Sequence, residues 1–179
     1  MNLKDMIYDY FKTNAPNSLV ENTDFHDFSM IEQELGFKLH PDLQAYFGSY
    51  YFDEIEGILA SSQVPATEKW GHWFEFNQEF KLPVTLHGPE RGKDLKEQIM
   101  RAYQVWTGGY DFGQRFWVGE IFANIGQILL VFNNETGAVE WIDTDYGSFG
   151  NLEQDPNGIF MSTLADLIVA LTGSYQQRS

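Results

Sequence analysis

Apolar residues in this chain recur at two spacings, and the spacing shows which segments are helical and which are extended. Leu3, Met6, Ile7, Tyr10 and Phe11 return every three or four residues, predicting an amphipathic helix that stops near Asn14 and Pro16. Ser29 with Glu32 three residues on reads as a capping box for a second helix. Ile31 and Leu35 share one face of that helix, and Gly36 is its expected left-handed stop. Pro41 suits the first turn of a third helix, whose stripe is Leu43, Tyr46, Phe47 and Tyr50. Gly57 then punctuates the passage to Ile58–Ala60, predicting a strand around 57–61 followed by a loop containing Pro65. Trp73–Phe80 alternates apolar and polar, as a half-buried strand does.

The second half reads in the same way. His87–Lys93 is a loop rich in Gly and Pro. Leu95, Ile99, Tyr103 and Trp106 predict a helix over about 93–106, stopped by Gly108 and Gly109. On its exposed face Glu97 is placed to pair with Lys93 and Arg101. Phe116–Ile121 is a strand, and the unbroken apolar run Ile128–Phe132 is a central strand covered on both faces. Asn133–Gly137 is a hairpin turn into the strand Val139–Asp143. A polar loop over 144–158 leads to a closing helix on Leu164, Leu167, Ile168 and Leu171, with Gly173 at its C-terminal end.

Composition narrows the function class. A length of 179 residues fits one domain, and 15 Phe, 9 Tyr and 5 Trp supply a large core. With Cys at 0 there is no disulfide framework, thiolate metal site or cysteine nucleophile. The N-terminal residues lack the basic and apolar pattern of a secretory leader, and no run reaches the roughly 18 apolar residues of a membrane helix. The expectation is a cytoplasmic protein without membrane insertion. A net charge of −15 disfavours direct nucleic-acid binding and favours a basic partner. The acids concentrate in residues 1–60 and 110–179, while 61–109 is balanced.

Ile31–Gly57, a helix, a tight break, a second helix and a strand entry, resembles the opening of the SUKH superfamily of SMI/KNR-type cell-wall regulators, Syd-like proteins and immunity proteins. RFWVGEI, GQILLVFNNETGAVEWID and STLADLIVAL resemble the later part of its Syd-like members. His40, standing before Pro41, departs from that pattern, and residues 61–113 match nothing in it and read as an insertion. The resemblance implies an α+β fold, a mixed and mainly antiparallel sheet flanked by helices, in a single domain spanning 1–179. It also implies a non-enzymatic protein binder that neutralises a cognate toxin, often a nuclease and therefore basic. Two other readings stay open: a regulatory scaffold engaging a translocation or cell-wall component, and a carbohydrate-binding or carbohydrate-processing protein.

Motifs for chemistry are weak. His26, His40, His72 and His87 lack metal-site spacing. Asp143–Gln154 fails the calcium-loop template at its fifth, sixth and twelfth positions, and no hydrolase elbow or phosphate loop is present. No cofactor is expected. Asp53 with Glu56, and Asp143 with Asp145, are the carboxylate pairs nearest to acid–base spacing, and a solvated acidic surface is the default for both. The expected partner surface therefore combines acids with aromatic anchors. Asp53, Glu54 and Glu56 lie after the third helix, and Glu140, Asp143 and Asp145 beside the late hairpin. The aromatic candidates are Trp70, Trp73, Tyr110, Trp117 and Tyr146, with the Tyr110–Phe112 and Tyr146–Phe149 loops completing the surface.

Overall fold

The structure, a computed structural model, describes residues 1–24, 27–64, 81–123, 126–144 and 155–175. The predicted strand Trp73–Phe80 and residues 145–154 of the late polar loop lie outside these residues. Helix α1 (Leu3–Asn14) opens the chain, its N-terminus capped by the Asn2 side chain. The short strand β1 (Val20–Glu21) follows, then α2 (Ser29–Leu35), α3 (Pro41–Gly48) and β2 (Tyr50–Tyr51), which pairs antiparallel with β1. The main sheet is β3 (Glu54–Ala60), β4 (Lys81–His87), β5 (Arg115–Ala123), β6 (Gly126–Asn133), β7 (Val139–Asp143) and β8 (Gly158–Met161). These strands lie side by side in chain order, and every described pairing is antiparallel. Helix α4 (Leu95–Gln104) stands between β4 and β5, and α5 (Leu164–Tyr175) closes the chain. The architecture is α+β with a mainly antiparallel sheet, as expected.

The two faces of the sheet have different fates. Ile55, Leu59, Leu82, Val84, Leu86, Phe116, Leu130, Phe132 and Trp141 point to one face and are buried with the apolar stripes of the helices. On the other face a smaller cluster forms over β6 and β7, where Trp106 and Phe112 cover Leu129, Val131 and Ile142. Both faces of β6 are therefore buried, as its unbroken apolar run predicted. Over β3, β4 and β5 the second face carries Glu54, Glu56, Ile58, Pro83, Thr85, His87, Glu120 and Phe122, which range from buried to exposed.

The structure corrects the sequence reading at several local points. Ser29 is the first residue of α2, not its cap; Asp27 accepts from both the Ser29 amide (2.8 Å) and hydroxyl (2.7 Å). Glu32 closes no capping box and instead receives the Leu39 amide at 3.0 Å. Tyr50 belongs to β2, because α3 ends at Gly48. Gly57 sits inside β3, and α5 runs through Gly173. Lys93 pairs with Glu90 rather than with Glu97, and Lys96 of α4 pairs with Glu34. The stretch read as an insertion supplies β4, hydrogen-bonded on both sides, and α4 with its buried Ile99. Its described part is integral to the sheet and core.

Candidate functional site

A cavity of about 450 Å³ opens at the end of the sheet where β3 begins, β4 ends and α4 passes. Asp53, Glu54, His87, Arg101, Val105 and Trp117 are among its lining residues. His87 is fixed there through its backbone. The Tyr46 hydroxyl donates to its carbonyl at 2.7 Å, and the next amide, Gly88, donates to Asp53 at 3.1 Å. Tyr46 is fully buried, and burial pushes its phenol far above the ordinary range, so it acts as a neutral donor. Trp117 meets the His87 ring edge-on with centroids 5.3 Å apart. The indole N–H of Trp117 donates to the Gly119 carbonyl at 2.8 Å across the irregularity in β5, which sets the ring's orientation.

Carboxylates surround the imidazole. Glu54 is directly opposite His87 in the β3–β4 register, with Oε1 3.8 Å from Nδ1. Glu120 Oε2 lies 3.3 Å from Nε2, close enough to attract a protonated ring but not aligned as a hydrogen bond. Glu56 and Glu120 share one row, each opposite Thr85. Partial burial raises the Glu54 carboxyl above the usual range, and the neighbouring Glu56 and Glu120 charges push it further, while His87 opposes them. The β3–β5 side of the site is therefore acidic, while Arg101 and Lys93, the latter paired with Glu90, also line the cavity.

The sequence-predicted acids separate into distinct groups. Asp53, Glu54 and Glu56 come together at this end of the sheet, with Asp53 and Glu54 exposed and Glu56 half-buried. Of the described late-hairpin candidates, Glu140 and Asp143 do not join them. Glu140 is held by Arg115 at 2.5 Å and by Asn133 at 3.0 Å, and Asp143 is 0% exposed, facing the core from β7. Strand alternation places Asp143 on the same side as Trp141, which the acid count alone did not reveal. Tyr110 is 42% exposed in the loop after α4. Asp145, Tyr146, Trp70 and Trp73 lie outside the described residues.

His87 and Glu120 are the site residues that sequence reasoning missed. The alternation Leu82, Val84, Leu86 puts His87 on the opposite face, and Glu120 is a lone acid in an apolar strand. Either signal points to the second face. Among the described residues no group of three or more His, Asp or Glu side chains is placed to hold a metal ion. None of the described helices is long and apolar enough to cross a membrane. No protein-family model and no curated protein matches the chain.

Proposed function

We propose that the chain is a non-enzymatic protein-binding module that neutralises a cognate toxin domain through that toxin's basic surface. The observation that carries this reading is the placement of Glu54, an exposed cavity-lining carboxyl on the same sheet face as Glu56 and Glu120. Carboxylates placed in this way attract a cation delivered by a partner, because it offsets their mutual repulsion. A net charge of −15 adds long-range steering toward a basic surface. The likeness of Ile31–Gly57 to the SUKH superfamily, which includes immunity proteins, and of the Asn133–Gly137 turn region to its Syd-like members supplies the class of partner. The cytoplasm is the compartment proposed for the encounter.

Co-purification from the native organism tests this reading. The wild-type chain is expected to retain a basic polypeptide at low salt and release it at high salt. Glu54→Lys should lose that polypeptide. Asp166→Lys, which makes the same charge change on exposed α5, should keep it. Equal retention by both variants would contradict the reading, and a gene for a large secreted toxin beside this one would support it.

A further inference from the structure

Next to the acid row, the same face of the sheet turns apolar. Ile58 is two residues beyond Glu56 on β3, Pro83 lies directly opposite Ile58 on β4, and Phe122 is two residues beyond Glu120 on β5. Strand residues two apart share a face, so these three lie alongside Glu56, Thr85 and Glu120. Ile58 and Pro83 are half-buried, whereas Phe122 is 55% exposed. On β6 and β7 the same face is covered by Trp106 and Phe112, which lie over Leu129, Val131 and Ile142.

We propose that this face, from Ile58, Pro83 and Phe122 across Glu56 and Glu120 to the His87 cavity, docks a partner segment bearing apolar side chains flanked by lysine or arginine. The proposal rests on the protein-binding reading and deepens it, because it fixes where the partner sits and what it presents. Charge complementarity selects the occupant. A second copy of this chain would bring another −15 to a face that is already negative. The partner lies on the face rather than adding a strand at the β3 edge, because the Glu56, Ile58 and Ala60 amides already donate to Tyr10, Ser174 and Gln63. A stable interface covers roughly 800 Å² per partner, more than these rows supply. The footprint therefore continues over the cavity to Val105, which is 62% exposed.

The test is a titration of the ¹⁵N-labelled full chain with three synthetic peptides of equal length, alternating Lys–Phe, Lys–Ser and Glu–Phe. The Lys–Phe peptide is expected to shift the Ile58 and Phe122 amides and the Trp117 indole, and to bind about tenfold more tightly than Lys–Ser. Glu–Phe should shift none of these signals. Phe122→Ser, a change at an exposed position, should reduce Lys–Phe binding to the Lys–Ser level while the rest of the spectrum is retained. If the two basic peptides bind equally near Glu54 and Phe122 stays silent, the docking surface is overturned but the basic-partner reading stands. If neither basic peptide shifts any signal, both fall.

Discussion

Single polar side chains decide how the helical segment meets the sheet. Asn134, in the β6–β7 turn, accepts from the His40 amide at 2.7 Å and donates to the Lys38 carbonyl and the Gln114 side chain, each at 2.8 Å. The Gly137 position in the same turn leaves room for the His40 ring, since a Cβ there would lie 2.9 Å from Nε2. The turn and the α2–α3 connection are thus one unit, and His40, out of pattern in the sequence, caps α3 and fills this contact. Asn134→Ala is expected to cost about 1 kcal/mol by denaturant unfolding, because it removes the partner of the part-buried His40 amide and Lys38 carbonyl. Exposed Glu135→Ala should change little. Glu32 shows a second such role. Lys38 first, then the Leu39 amide and Gln44, hold its carboxyl below the usual range. Its folded value is depressed, so its contribution is present above the ordinary carboxyl pKa of about 4.3 and is lost as pH falls through the folded value. Unfolding measured from pH 7 to pH 3 should show the wild-type advantage over Glu32→Gln shrinking across that window. Glu54 has the opposite sign. Its raised pKa means that the charged form strains the fold above that value, so Glu54→Gln should raise Tm at neutral pH even as it weakens partner binding. The stops and starts at Gly36 and Pro41 were legible because they depend on local backbone geometry. The roles of Asn134 and Glu32 were not, because their partners come from other segments or from beyond the helix.

At the scale of elements, β3 is an edge strand whose outer amides are taken by its neighbours. The Tyr10 hydroxyl accepts from the Glu56 amide at 2.8 Å and donates to its carbonyl at 2.9 Å, joining α1 to the sheet. Ser174 of α5 accepts from Ile58 at 3.1 Å. Gly57 permits this approach, since a Cβ there would stand 2.3 Å from Ser174 Oγ and 2.9 Å from Leu171. Gly57→Ala is therefore expected to force α5 outward, at a cost of about 1–3 kcal/mol in the same unfolding measurement. The double change Tyr10→Phe with Ser174→Ala should free edge amides and show self-association by sedimentation. Helices α1, α3 and α4 and strands β5, β6 and β7 were legible from periodicity. Strand β4 was not recognised, because Pro83 reads as a strand breaker. Pro83 is opposite Ile58 of β3, and the β4 pairs with β5 run only from Val84 to Leu86, so its missing N–H interrupts neither the described β5 pairing nor the fold. Strand β8 is 4 residues long and carries too little periodicity to stand out from the polar loop before it.

At the scale of the whole molecule, the sheet is covered by helices on one face and by the 105–112 segment over half of the other. The remaining part, over β3 to β5, carries acids beside one cavity and the exposed Phe122 beyond them. Acidic composition suggested a basic partner, and the clustering of Asp53, Glu54 and Glu56 at one end of the sheet was legible because they are close in sequence. Glu140 and Asp143 were misplaced because a strand's register, not its charge, decides which acids reach the surface. The most direct measurement is calorimetric affinity of the co-purified basic partner for the wild-type, Glu54→Lys and Asp166→Lys chains at low and high salt. The account predicts a loss of about tenfold or more for Glu54→Lys at low salt, a smaller difference at high salt, and near wild-type binding for Asp166→Lys. Equal affinities for all three chains, or a greater loss for Asp166→Lys, would contradict the assignment of this face as the binding surface.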